Sequence, residues 1–347
     1  MVQSIVGLDI SSRHLLAAEI EGPAGKHPTL LRAHRVALEP DAARDGEVID
    51  VNAVTQALQR LWQEGGFRSR RVVLGLGSQR VLVRELTVPV MPLAQLRQAL
   101  PYQVADLLPV PVDETILDFY PIAPVEGSAP AEARGLLVAA LKDAVDTNLA
   151  ALDLARLGVA GVDLSAFAMV RALAPSGVLN GTHTVVSVGT RTTHIVVVQN
   201  GVPLFVRIIP AGGESMTDAL ASLSGESRAN LELAKHRLGL DGVSHSQFSE
   251  LSRAMFEAVR PLIVSIRSTI GYYNGLEGSS PVESVILLGT DSRVPGLPRA
   301  VAENVQLPVR LVSPLEGLPL GSGVAPGAFD EFALDLAVPV GLALGSV

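Results

Sequence analysis

The chain has 347 residues and no cysteine. That excludes disulfides and thiolate chemistry, and it suits a reducing compartment. Positive charge is in deficit: 27 Lys and Arg stand against 35 Asp and Glu, a net charge of −8. The isoelectric point near 5.4 argues against nucleic acid or an anionic membrane as the main partner. No stretch approaches the ~18 consecutive apolar residues of a membrane-spanning helix. The N-terminus runs directly into a strand, with no basic region ahead of a long apolar one, so no signal peptide is expected. The seven histidines show no i,i+4 or other metal-ligand spacing. His14 and His194 fall in strands and read as strand residues rather than ligands. A soluble, cytoplasmic protein is expected.

Apolar residues are plentiful, 48% of the chain. A chain of this length exceeds what one core supports, so at least two domains are expected. The organising stretch is Val185–Gly213, VVSVGTRTTHIVVVQNGVPLFVRIIPAGG. It reads as three apolar strands, with a small hydroxyl-rich turn (Gly189 to Thr193) after the first and Asn200-Gly201 after the second. Asn-Gly between β-branched runs predicts a type I′ hairpin, because both turn residues need φ > 0. Backbone N–H groups of the Gly-Thr turn can form an anion-binding nest, although an ordinary meander with an idle turn has the same pattern. A second copy, Ser4–Leu38, has the same parts in the same order. Laid on each other, Asp9 meets Ser187 and Arg13 meets Arg191. Two such units, each heading half of the chain, predict two similar domains that aim one turn each at a shared ligand.

Between the copies, Val51–Glu64 has helical apolar spacing and Gly65-Gly66 ends it. Ser69–Leu76 reads as a buried strand. From Gln79 the character changes: strands at Arg80–Val88, Asp113–Ile122 and Gly135–Leu141, and helices at Leu93–Leu108 and Lys142–Leu157. Pro101 predicts a kink or two helices in the first of these. This block, 79–157, reads as a small α+β module inserted into the first domain. Val159–Val162 is a short strand, and Asp163–Leu173 a buried helix that Asp163 or Ser165 can cap. After the second copy, a helix starting at Glu214 directly behind Gly212-Gly213 has the geometry of an anion site. Further helices are expected at Ser227–Leu238, Ser246–Tyr273 (kinked at Pro261, with Phe248 on its apolar face), Leu297–Asn304 and Phe329–Leu344 (interrupted at Pro339). Strands are expected at Val285–Leu288 and Val309–Val312.

Several stretches together resemble the PilM family of type IV pilus assembly proteins, within the actin-like ATPase superfamily. They are GLDISS at 7–12, VMPLAQLRQALPYQVADLLPVPVDETILDF at 90–119, the LLVAALKDAVDTNLAALDLARLGVAGVDLSAFAMVRAL run at 136–173, GVPLFVRIIPAGGE at 201–214 and the SIRSTIGYYNG…PVESVILLGTDSRVPGL stretch of 265–297. The resemblance implies an α/β, actin-like two-domain fold with duplicated ribonuclease-H-like domains. A small α+β inserted module, shared with the cell-division protein FtsA, is part of it. The implied division is 1–78 and 158–180 for the first domain, 79–157 for the module, 181–325 for the second domain, and 326–347 for a C-terminal helix returning to the first.

The resemblance also implies ATP and Mg²⁺ in the cleft. Asp9 would hold the metal, through water, since Mg²⁺ keeps most of its hydration shell. Ser11 and Ser12 would meet the phosphates from one side, Gly189 and Thr190 from the other. Gly212, Gly213 and Glu214 would face phosphates and ribose, Glu232 and Lys235 ribose and base, and Gly289 and Thr290 the adenine. The chain departs from the family in three places. Ser187 stands where the second turn carries an aspartate. Ser165 stands near the family's water-polarising Glu or Gln. Thr290 and Asp291 follow Gly289 where paired glycines are usual, and they narrow the base pocket. Phosphoryl transfer depends on positioning and electrostatics, so hydrolysis is expected to be slow or absent. Each residue also has a plainer reading: Asp9 as a turn cap, Glu232 and Lys235 as an i,i+3 pair, Gly212-Gly213 as a tight turn.

The implied function is a cytoplasmic adaptor recruited to the inner face of the cell membrane. It would bind the N-terminal cytoplasmic tail of a PilN-like bitopic membrane protein in a groove between first domain and module, with Arg80–Val88 and the 107–112 run as walls. It would be peripheral to the membrane through partners only, and homo-oligomerisation stays open. The alternatives are an FtsA-like division or filament-forming protein and an active ATPase or kinase of the same superfamily. The first would need a basic amphipathic C-terminal helix, and no Lys or Arg follows Arg310.

Overall fold

The structure, a computed structural model, describes residues 4–22, 27–240, 246–325 and 327–345, with side chains of 246–249 excepted. Residues 23–26 in the first copy's second turn, the side chain of Phe248, and residues 326, 346 and 347 of the expected C-terminal segment 326–347 lie outside the described residues.

The first half of the chain opens with β1 (Ser4–Ile10), β2 (His14–Glu21) and β3 (Thr29–Ala37). A two-residue ribbon, β4 (Ala43–Arg44) and β5 (Glu47–Val48), leads to α1 (Val51–Gly65) and β6 (Arg71–Leu76). Asp50 caps α1 by accepting from Asn52 and Ala53, and Gly66 in the left-handed region closes it. Then come β7 (Val81–Pro89), α2 (Leu93–Val104), β8 (Thr115–Val125), β9 (Glu132–Leu141) and α3 (Lys142–Leu154). β10 (Gly158–Leu164) and α4 (Ser165–Leu173) follow.

The second half contains β11 (Thr182–Val188), β12 (Thr193–Gln199), β13 (Val202–Ile209), α5 (Glu214–Leu223) and α6 (Arg228–Leu238). It continues with α7 (Ser246–Asn274), β14 (Ser284–Leu288), α8 (Leu297–Val305) and β15 (Val309–Leu311). A last helix, α9, spans Ala337–Leu344.

The two large sheets repeat one plan. Their orders are β10-β6-β1-β2-β3 and β13-β12-β11-β14-β15. In each, three antiparallel strands are followed by two parallel additions. The predicted superposition holds in register: Asp9 pairs with Leu16, and Ser187 with His194, seven residues on in both cases (16 − 9 and 194 − 187). Asn200 and Gly201 take φ of 50° and 80°, the hairpin geometry that the sequence predicts. α4 and α9 lie between the sheets, in a core that mixes Ile5 and Leu16 of the first sheet with Val185 and Val196 of the second.

β7, β9 and β8 form a separate three-stranded sheet. α2 covers one face of it through Leu96, Leu100 and Val104. The other face joins the inter-sheet core, where Tyr120 of β8 stacks on Phe167 of α4 at 4.9 Å.

Of the three proline readings, the one at Pro339 changes. α2 runs through Pro101 and α7 through Pro261 as single helices. Each helix buries a continuous apolar stripe, and tertiary packing outweighs the missing hydrogen bond. Pro339 does not interrupt the last helix; it sits in the first turn of α9, where an N–H has no helical partner anyway. Upstream, Ala333–Leu336 is a 3₁₀ turn. The expected cap of α4 is also absent. Its N-cap is Leu164, and Asp163 instead accepts from the Leu164 N–H and pairs with Arg171.

Candidate functional site

The predicted site residues lie where the two halves meet beyond the inter-sheet core, around the β1–β2 and β11–β12 turns, the starts of α5 and α6, and the loop after β14. On the first side, β1 delivers Asp9, which is recessed and partly exposed. Burial, reinforced by the charge of Asp335, pushes its carboxyl up to about 7. Ser11 and Ser12 are engaged within their own neighbourhood. The Ser11 hydroxyl donates to the His14 carbonyl at 3.0 Å and accepts the His14 N–H at 3.0 Å. Ser12 Oγ accepts the Asp45 N–H at 2.8 Å.

On the second side, the Gly189–Thr190 turn packs onto the start of α5. The N–H groups of Gly213 and Glu214 donate to the carbonyls of Gly189 and Thr190, at 2.9 and 2.8 Å. A Cβ on Gly212 would lie 2.2 Å from the Gly189 carbonyl oxygen, so only glycine allows this approach. At the start of α5, the Gly213 and Glu214 N–H groups therefore already have acceptors, and in the Gly-Thr turn the Gly189 N–H donates to the Thr192 carbonyl at 3.1 Å. Gly289, at φ 84°, donates its N–H to Leu334. Thr290 is held by Asp335 through both its N–H, at 2.7 Å, and its hydroxyl.

The acidic residues are tied up as well. Glu214 accepts from Arg13 at 2.7 Å and Arg228 at 2.5 Å, and pairs with Arg191 at 3.1 Å. Glu232 accepts from Arg13 at 2.6 Å and from the Thr217 hydroxyl at 2.7 Å. Its other oxygen meets Lys235 at 2.7 Å. Burial alone would raise both carboxyls. For Glu214 the Arg13 and Arg228 hydrogen bonds overcome that, and for Glu232 the Lys235 charge and hydrogen bond do, leaving both below the usual range.

Lys235 is fully buried. It also bonds Asp291 at 2.6 Å and lies 3.4 Å from the Gly213 carbonyl. A Cβ on Gly213 would collide with the Asp291 carboxylate at 2.1 Å, so Asp291 fills the space beside Gly213.

The residues present match ATP–Mg²⁺ at one end of the cleft only. Nearby, Ser165 Oγ and Thr192 Oγ1 are buried without a hydrogen-bond partner, so hydroxyl capacity is unused there. Asp9 is the carboxylate that would face a hydrated Mg²⁺. Among the described residues, no cluster of three or more His, Cys, Asp or Glu side chains is placed to hold a metal directly. At the ribose and base end, Arg13, Glu232, Lys235 and Asp291 fill the space with each other. Two cavities, of about 430 Å³ beside α5 and α6 and about 520 Å³ beside α1, lie outside the cleft.

Sequence reasoning missed Arg13, Asp45, Thr217, Arg228 and Asp335 as site residues. A signal existed for Arg13: the repeat sets an arginine at the same place in both turns. Nothing local marks Asp335, which reaches Thr290 only through the fold.

A family model for type IV pilus assembly protein PilM matches residues 7–347. Among solved structures, a PilM–PilN type IV pilus biogenesis complex superposes with a TM-score of 0.85 at 25% identity, covering 99% of this chain and 98% of that one. The ethanolamine utilization protein EutJ from Carboxydothermus hydrogenoformans superposes with a TM-score of 0.58 at 15% identity, covering 99% and 89%. With the duplicated sheets, these likenesses make the fold actin-like.

Proposed function

The chain belongs to the PilM family of type IV pilus assembly proteins, and from that footing we propose that it is a pilus-assembly adaptor for the N-terminal cytoplasmic tail of a PilN-like bitopic membrane protein. The solved relative is a complex of PilM with PilN, which supports a partner of that kind. No described helix is long and apolar enough to cross a membrane. In this reading the partner holds the membrane location, and the adaptor is recruited to the inner face of the cell membrane.

The observation that carries the docking site is the free edge of β10. This strand pairs with β6 on one side, and no described strand pairs its other side. Val159 and Val162 are 40% and 37% exposed on it, and a Cβ on Gly161 would meet nothing within 4 Å. An open, apolar edge strand is a template for an added strand. Because α3 enters β10 directly from the three-stranded module, the edge lies on the module side of the first sheet. That supports the expected groove, with β10 as its floor in this reading. β7, expected as a wall, also contacts β13 of the second half.

ATP has a smaller part in this reading. The phosphate end retains Asp9 and unused hydroxyls, while Ser187 and Ser165 replace the superfamily's second carboxylate and its polar water-orienting group. Binding without appreciable turnover is the expected behaviour. The test is a calorimetric titration with a synthetic peptide copying the partner's cytoplasmic tail. Saturable micromolar binding is expected, and no heat at high micromolar peptide overturns the adaptor reading.

A further inference from the structure

The cleft is crossed by the chain's own side chains in a reciprocal pattern. Arg13 follows Asp9 by four residues, and Arg191 follows Ser187 by four, so the two arginines are repeat equivalents. Each reaches the opposite half. Arg13, from the first half, bonds Glu214 at 2.7 Å and Glu232 at 2.6 Å through different guanidinium nitrogens. Arg191, from the second half, meets Asp45 of the first at 3.4 Å and shares Glu214 at 3.1 Å. A third contact, 2.9 Å between His194 Nε2 and the Gly77 carbonyl oxygen, ties the same two halves together.

The forked geometry of arginine suits two carboxylates at once. In this place it serves the same acidic side chains that the family resemblance assigns to a nucleotide. We propose that Arg13 is a built-in occupant of the nucleotide cleft. Bridged between Glu214 and Glu232, it holds the two halves closed without nucleotide, and it must be displaced before the ribose of a nucleoside triphosphate reaches Glu232 and Lys235.

Charge supports the competition. Asp9, Glu214, Glu232 and Asp291 line the cleft, and a nucleoside triphosphate adds further negative charge. If Arg13 and Arg191 turned to phosphate, Glu214 would keep only Arg228 and Glu232 would lose its partner across the cleft. Leaving partly buried carboxylates uncompensated is unfavourable, so the polyphosphate must outbid a pairing already formed. Pairs of this kind weaken with ionic strength. Closure of this cleft is therefore governed by salt and by nucleotide in competition, and it does not require nucleotide.

The natural absence of cysteine gives a clean test. Asn52→Cys on α1 and Ser222→Cys on α5 are exposed sites on opposite sides of the cleft, and spin labels there report its width by pulsed EPR. Without nucleotide, the otherwise wild-type protein should give one narrow distance, which lengthens as salt is raised. Arg13→Ala should lengthen and broaden it at low salt, and Arg13→Lys should fall between. In calorimetry with ATP–Mg²⁺, Arg13→Ala should bind about tenfold tighter than wild type or better, a change of about 1.4 kcal/mol. The proposal stands only if the wild-type distance responds to salt, Arg13→Ala opens the cleft and nucleotide affinity rises. Any other combination overturns it, including weaker binding by Arg13→Ala, which would make Arg13 a phosphate ligand. Peptide docking at β10 is read separately, so failure of one does not disguise failure of the other.

Discussion

The backbones of Ala168 and Gly341 touch: a Cβ on Gly341 would lie 1.7 Å from the Ala168 carbonyl oxygen. α4 and α9 thus meet without intervening side chains, and the same close approach recurs where a Cβ on Gly7 of β1 would lie 1.9 Å from the Pro339 carbonyl. Gly341→Ala should force these helices apart and lower unfolding stability by about 2 kcal/mol or more. Gly161→Ala, in open space on β10, should stay within about 0.5 kcal/mol. Chemical denaturation of the two variants measures the contrast.

The buried Lys235 should be the most sensitive member of the cleft. It has no exposure and two carboxylate partners, Glu232 and Asp291. Lys235→Met leaves the buried Asp291 without its lysine and Glu232 with Arg13 alone, and should cost about 3 to 5 kcal/mol. Adding Asp291→Asn removes one orphaned charge and should recover part of that loss. A double-mutant cycle of thermal melts checks it, and simple additivity would contradict the coupling.

Acid should unfold the protein partly through His14. Burial, with the charges of Arg35 and Arg13 beside it, lowers the His14 pKa to about 4, against the pull of Glu232 and Asp291. The folded form therefore keeps His14 neutral while the unfolded chain takes up a proton below about 6.5. Its contribution is complete above pH 6.5 and is lost as pH falls towards 4, by at most about 3 kcal/mol. Asp9 and Asp335, whose carboxyls are raised, act in the opposite sense. Comparison with His14→Gln isolates the histidine: the variant's melting temperature should fall less between pH 6.5 and 4.5.

At the free edge, Val162→Asp should weaken peptide binding about tenfold or more, because it places a charge where an apolar strand is to lie. The melting temperature should barely change, since Val162 is already 37% exposed. Parallel titrations and melts separate a docking role from a folding role.

What could be read from residues alone was whatever a short segment decides for itself. Asn200-Gly201 announced its hairpin because the need for positive φ is local. The Ser4–Leu38 copy was visible because strand and turn patterns survive low identity. Pro339 misled because a proline's effect depends on its position within the helix, and this one falls in the first turn of α9. The site divided along the same line. Asp9 and Gly212-Gly213 stood out in their own segments, whereas the pairing of Arg13 with Glu232 spans 219 residues and with Glu214 spans 201. No window contains both partners, and only the facing of the two sheets brings them together.

The placement of α9 has a consequence for how the molecule is made. β1 leaves the ribosome more than 300 residues ahead of the helix that packs against its Gly7 (337 − 10 = 327). Until then α4 covers the β6 and β10 part of the first sheet's inner face, while the β1 and β2 part lacks α9, although its strands are already translated. The nascent chain must hold an apolar surface in waiting while the whole second half is synthesised, and long-range closure of this kind slows folding. The first half is thus begun early and finished late, and the second half completes its own sheet inside that interval.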